Sequence, residues 1–137
     1  MPPVESVRRL VAAINARNVP AILASLTPDH RFVDSLGAVI SGRAALEQAW
    51  QGYFRLVPDY AIQIEEELVL GDVVVLFGAA GGTYAANGPP RSGARWGSPA
   101  AWRAVVRDDR VAEWRVYADN EPLRRLMRRG SGPGGSA

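Results

Sequence analysis

"HRFVDSLGAVISGRAALEQAWQGYFRLVPDY", residues 30–60, decides how this chain reads. Its opening run, "RFVDS", is a short strand that carries an aspartate, Asp34, among apolar neighbours. Strand alternation puts Phe32 and Asp34 on one face, so an inward Phe32 brings the carboxylate inward. "LGAVISG" follows as a turn-rich link. Then "SGRAALEQAWQGYFRLV" predicts a helix with Ser41 as N-cap. Leu46, Ala49, Trp50, Tyr53 and Phe54 fall on one face of it. Pro58 stops the helix.

On the N-terminal side, Val4, Val7, Leu10, Val11 and Ile14 recur at helical spacing. Asn18 ends that helix and caps a second short one, "VPAILASL", with proline early in its first turn. "TPDH" breaks the second helix. On the C-terminal side the period changes to two. "YAIQIEEELVL" alternates, Gly71-Asp72 turn the chain, and "VVVLFGAAGGTYA" is a largely apolar strand. Gly81-Gly82 within it suggest a bulge. "ANGPPRSGARWGSP" reads as a loop, which makes Trp96 a lid residue. Gly88-Pro89-Pro90 precede no helix start and so form no phosphate cradle. "AAWRAVVR" and "RVAEWRVYAD" are strands joined through Asp108-Asp109, a hairpin turn. "NEPLRRLMRR" closes as a helix capped by Asp119-Asn120. The order is helix, helix, strand, helix, four long strands. Helices segregated from an antiparallel sheet mean an α+β fold.

The 137 residues suit one domain. Residues 1–129 form it, and 130–137, "GSGPGGSA", read as a flexible Gly/Ser-rich tail. With no cysteine, thiol nucleophiles, disulfides and Cys-ligated metals are excluded. One histidine, His30, excludes His-rich metal sites; it reads as a surface or turn residue more readily than as a catalyst. All sixteen basic residues are arginine, against fourteen acidic ones. The dense basic run Arg124, Arg125, Arg128 and Arg129 suits a solvated last helical turn. No aromatic-basic stripe accompanies it, so nucleic acid is not an expected partner. No apolar run approaches the roughly 20 residues of a membrane span, and no signal peptide is evident. The expectation is a cytoplasmic protein.

The order and spacing of "FVDSLG", "SGRAAL", "AWQGYF" and "RVAEWRVYADNEPL" resemble the nuclear transport factor 2-like superfamily, and within it the SnoaL-like proteins. The resemblance spans roughly residues 4 to 128. It implies a cone: a curved antiparallel sheet wrapped around three helices, with an interior pocket. Ketosteroid isomerases, polyketide cyclases, limonene epoxide hydrolases and non-catalytic binding modules share that shape, so fold alone does not assign function.

Asp34-Ser35-Leu36-Gly37 falls where ketosteroid isomerase has a similar Asp-x-x-Gly that supplies the proton-moving base. In an apolar cone that carboxyl is expected to be more basic than usual; the alternative is that Asp34 caps the following turn or pairs with an arginine. The isomerase's oxyanion donors are missing, since Leu10 and about Arg103 stand there. The epoxide hydrolase triad is broken too, with Val116 in place of an acid and no Arg-x-Asp in "VVVLFGAAGG".

Counting back from the Asp108-Asp109 turn pairs Arg103 with Trp114 and Ala101 with Val116. That places Arg103 on the concave face, where a buried guanidinium needs an anion. Asp34 or a ligand carboxylate or enolate would supply it; a one-residue slip would instead send Arg103 to solvent. The opposite row, Trp102, Ala104, Val106, Glu113, Arg115 and Tyr117, suits a homodimer contact. Trp50, Tyr53 and Phe54 are core or ligand contacts, and Tyr60, Tyr84 and Trp96 edge the mouth.

The sequence therefore predicts a cofactor-free, metal-free SnoaL-like domain that takes a small apolar organic molecule. As an enzyme it would move a proton, with Asp34 as acid/base and Arg103 or Tyr53 on the oxyanion. Phe32, Trp50, Tyr53, Phe54, Trp96, Trp114 and Val116 would line the site. As a binding or dimerisation module it would keep Asp34 and Arg103 as a structural pair.

Overall fold

The computed structural model describes residues 1–85 and 94–130. Gly88-Pro89-Pro90 and the tail beyond Gly130 lie outside the described residues. The elements are α1 (Pro3–Asn15), α2 (Val19–Ala24), β1 (Leu26–Val33), β2 (Val39–Ser41), α3 (Arg43–Leu56), β3 (Ala61–Leu70), β4 (Val73–Thr83), β5 (Arg95–Arg107), β6 (Arg110–Ala118) and α4 (Glu121–Gly130). The strands form one open sheet in the order β2-β1-β6-β5-β4-β3. It is mixed, because β1 runs parallel to β6 while every other pair is antiparallel. The result is an α+β cone.

Helix α1 buries Val7, Leu10 and Ile14 of the stripe its spacing predicts, and Ala13 beside them, while Val4 and Val11 are partly buried at its edge. Arg17 takes a left-handed φ of 51°, and the Asn18 amide bonds back to the Ala13 carbonyl at 3.1 Å, which reverses the chain. The Asn18 side chain then accepts from the Ala21 amide at 3.1 Å and starts α2. "TPDH" does not break into a loop: Thr27–His30 belong to β1. Ser41 is not the cap of α3 either. It ends β2, and Gly42 at φ 87° makes the entry to α3. The Gly42 amide donates to the His30 carbonyl at 3.1 Å, so α3 begins pinned to β1.

The hairpin turn stands as read, with Asp108 and Asp109 at φ 54° and 61° and Arg107 opposite Arg110. Beyond it the register departs from a plain count. Val106 faces Val111 but Val105 faces Glu113, so Ala112 is an extra residue on β6. Arg103 then pairs with Arg115 and Trp102 with Val116. The cause is burial. Val111 and Trp114 are both enclosed, yet they lie an odd number of residues apart, and strict alternation would put them on opposite faces. A bulge lets both point inward.

The slip reverses every β5 residue relative to expectation. Trp102, Ala104 and Val106 face the core, with Trp102 1% exposed and stacked on Trp114 at 6.2 Å. Of the row expected at a dimer contact, only Glu113, Arg115 and Tyr117 lie on the outer face. Arg103 is on that outer face too, 41% exposed, and donates to Glu113 at 3.0 Å. Glu113 also takes Arg31 at 3.1 Å. The expected Arg103–Asp34 pair does not form.

Gly81-Gly82 make no bulge in the pairing with β5, where they oppose Gly97 and Trp96. Their use is close approach. A Cβ on Gly82 would sit 2.3 Å from Val57 Cγ1 and 3.2 Å from the Tyr60 Cα. Glycine there lets the segment after α3 lie directly on β4, and Asp59 seals the contact by accepting from the Thr83 amide and hydroxyl at 2.6 and 2.7 Å.

Candidate functional site

Between the concave sheet face, α3 and α4 lies a cavity of about 380 Å³. That is within the range of pockets that hold small organic ligands. Its walls are mostly apolar, and five of their aromatic rings touch in sequence. Phe32 meets Trp50 at 5.9 Å, Trp50 meets Tyr53 at 6.5 Å, Tyr53 meets Tyr60 at 5.0 Å, and Tyr60 meets Trp96 at 6.4 Å. The belt runs from β1 along α3 to β5. Helical spacing accounts for Trp50 and Tyr53 sharing a face.

Asp34 stands at the β1 end of this belt. Its backbone closes a tight turn, with the Asp34 amide donating to the Ala38 carbonyl and the Gly37 amide to the Asp34 carbonyl, both at 3.0 Å. Gly37 at φ 88° makes the turn possible. Oδ1 accepts from the Leu36 and Ala38 amides at 2.9 Å each. Oδ2 has no hydrogen-bond partner among the described residues. The carboxylate is thus a turn cap through one oxygen, and the residue also lines the cavity. Next to it, the Ser35 hydroxyl accepts from Asn120 Nδ2 at 2.7 Å, tying this turn to the start of α4. Asp119 Oδ1 caps α4 by accepting from the Glu121 amide at 2.9 Å.

At the other end, Tyr60 begins the approach to β3. Arg17 Nη1 donates to its carbonyl at 3.1 Å, and Asn15 brackets Ile62 two residues on with bonds of 3.0 and 2.7 Å. Burial pushes the Tyr53 phenol up to about 12. Burial pushes Tyr60 up as well, and the neighbouring Tyr53 adds to it. Both are protonated hydroxyl donors at neutral pH.

Of the nine residues the sequence singles out, Phe32, Asp34, Trp50, Tyr53, Trp96, Trp114 and Val116 line this cavity. Phe54 does not; it packs on Trp50 at 5.4 Å. Arg103 does not, for the register reason given above. Trp96 is on strand β5 rather than on a loop lid, and it is largely buried. Tyr84 is half-buried and lies off the cavity wall. His30 is neither a surface residue nor a wall of the pocket. It is 1% exposed, and its Nδ1 lies 2.7 Å from the Val111 carbonyl. A carbonyl only accepts, so Nδ1 carries the proton. Burial lowers the pKa of His30, opposed by that hydrogen bond and by Glu113 and Asp29.

The sequence reading missed Ser35, Ser98, Asn120 and Arg124 on the cavity wall. For α4 a signal was present: Asn120, Leu123, Arg124 and Met127 recur at helical spacing.

This geometry defines a class: a cone-shaped α+β domain with a mostly apolar cavity, walled in part by aromatic rings and with Asp34 on its wall. Residues 7–114 match the SnoaL-like domain, and the chain belongs to that family. Solved structures agree on the fold. A protein described as a SnoaL-like polyketide cyclase from Jannaschia sp. CCS1 superposes with a TM-score of 0.78 at 22% identity, covering 91% of this chain and 90% of that one. IdmH from Streptomyces antibioticus, described as a polyketide cyclase, gives 0.77 at 20% identity, covering 93% and 99%. TerC, solved with polyporic acid, gives 0.76 at 19% identity, covering 93% and 98%. A comparison with curated proteins returned no match.

Proposed function

We propose that the cavity binds a flat, largely apolar organic molecule and that Asp34 moves a proton on it. The observation that carries this is Asp34 on the wall of a mostly apolar cavity, with Oδ1 held by two backbone amides and Oδ2 without a partner among the described residues. A carboxylate held in place through one oxygen is pre-oriented as a base through the other. The protonated Tyr53 hydroxyl is suited to donate to an oxygen that gains charge as the proton leaves. Arg103 has no part in this. The reaction class is proton abstraction next to a carbonyl, as in isomerisation or cyclisation.

A probe ketone tests it. In D₂O the α-protons of 2-tetralone exchange slowly, and NMR follows their loss. The wild-type protein should speed that loss, and Asp34→Asn should lower the acceleration by roughly 10² to 10⁴. Equal rates for the two proteins would remove Asp34 from the chemistry.

A second reading has its own support. Both amide bonds to Asp34 Oδ1 serve the turn whether or not chemistry occurs, which fits a binding module. Saturable binding of 2-tetralone with no exchange above buffer would favour that reading. Self-association also remains part of the proposal, now through the outer-face row Phe77, Ala101 and Tyr117, in which Phe77 and Tyr117 are exposed.

A further inference from the structure

Helix α4 closes one side of the cavity with Leu123, Arg124 and Met127. Arg124 is the only cationic side chain among the described residues on the cavity wall. Its neighbours on α4 are already engaged. Arg125 and Arg128 both reach Glu121, at 3.7 Å for Arg125. Arg124 makes no ion pair and no side-chain hydrogen bond among the described residues. Its backbone is anchored all the same. The Arg124 amide donates to the Asn120 carbonyl at 2.9 Å, and Asn120 is bonded to Ser35. Arg124 therefore belongs to a helix turn anchored at the Asp34 end of the aromatic belt.

Two carboxylates share this rim, Asp34 and Asp119. Each has Oδ1 committed to backbone amides, the Leu36 and Ala38 amides for Asp34 and the Glu121 amide for Asp119. Neither is within ion-pair distance of Arg124. A guanidinium on the wall of a cavity that holds an aromatic belt, with no partner among the described residues, matches a planar ligand oxygen that bears charge.

We infer that Arg124 is a specificity-determining residue that selects flat aromatic ligands carrying an acidic oxygen: a carboxylate, a phenolate or an enolate. This rests on the pocket reading above and names the ligand class for it. The ring system lies along the belt from Phe32 to Tyr60, and its charged oxygen sits under α4. Because the Arg124 side chain also reaches solvent, the preference is moderate and weakens with salt.

Calorimetric titration at low salt with two near-isosteric probes tests this. The probes are 2-naphthoate, an anion, and 2-naphthylmethanol, which is neutral. The wild-type protein should bind the anion about tenfold more tightly. Arg124→Gln should remove that preference and leave the neutral probe unchanged. Arg125→Gln, which alters a helix arginine off the cavity wall, should retain it. Binding of both probes with no preference, or a preference that survives Arg124→Gln, would overturn the inference and leave the pocket intact. A wild-type protein that binds neither probe would remove the pocket reading and the inference together. Tighter binding of 2-naphthylmethylammonium than of the anion would overturn the inference in favour of the two carboxylates and a cationic ligand.

Discussion

Replacing Trp102 with alanine measures which way β5 faces. The ring is 1% exposed and stacks on Trp114 with an interplanar angle of 22°. A buried aromatic of this size removes about 150–250 Å² from water, worth about 4–6 kcal/mol at about 25 cal/mol per Å². One term offsets this. Trp102 Nε1 is buried with no hydrogen-bond partner, and losing an unsatisfied donor returns about 1–3 kcal/mol. The net expectation for Trp102→Ala is about 3 kcal/mol, at the lower edge of what Trp-to-Ala core changes cost. Trp102→Phe keeps most of the ring and drops the orphan N–H, so it should cost less than about 1 kcal/mol. Arg103→Met, one residue along, should also cost less than about 1 kcal/mol, because its partly exposed pair with Glu113 is screened by solvent. Urea unfolding followed by far-UV circular dichroism reads all three. With a slope of about 1–3 kcal/mol per molar urea, Trp102→Ala should move the midpoint by about 1–3 M while Arg103→Met barely moves it. The reverse order, with Arg103→Met the damaging change, would restore the unbulged register and refute the account of β6.

Arg103→Met combined with Asp34→Ala should give additive losses, since the two side chains do not meet; a coupling above about 0.5 kcal/mol would put them in contact. His30 is the only histidine, and its pKa is lowered by burial below the ordinary value of about 6.5. The neutral ring is favoured in the folded state, so its contribution is complete above about pH 6.5 and is lost as pH falls through the lowered value. The urea midpoint should drop between pH 7 and 5, and His30→Gln should flatten that dependence; an equal slope in the variant would clear His30 of the role. Sedimentation at micromolar concentration should give twice the mass of one chain, and Tyr117→Glu should give the single mass; a wild-type monomer would withdraw the outer-face contact.

Period and turn chemistry made most of the fold legible. The α1 stripe, the Asn18 cap, the Trp50–Tyr53 face and the Asp108-Asp109 turn all follow from local rules that the structure obeys. The cavity wall was legible where it sits on uninterrupted periods, as at Phe32, Tyr53 and Val116. It failed at Arg103 because alternation carries no record of an inserted residue. Only the joint burial of Val111 and Trp114 requires Ala112 to bulge, and that burial is a tertiary fact. His30 was misread for a related reason. "TPDH" has the composition of a turn, but a parallel partner more than eighty residues away draws it into the sheet. Arg124 hid inside a run of arginines whose members look alike until Glu121 takes two of them.

The parallel seam between β1 and β6 has a consequence for how the chain acquires its shape. His30 and Val111, joined across it, are 81 residues apart. On a ribosome adding about 5–20 residues per second, β1 would wait about 4–16 s for the strand that receives it. Until then β1 has only the short β2 to pair with, and Leu26 and Val33, both buried in the finished fold, lack the partner strand that covers them. Contacts this distant also slow refolding, since the loop must close before any of them forms. The cone is completed last at its oldest strand, so a truncated product lacking β6 would lose one wall of the cavity and the strand that covers the N-terminal half.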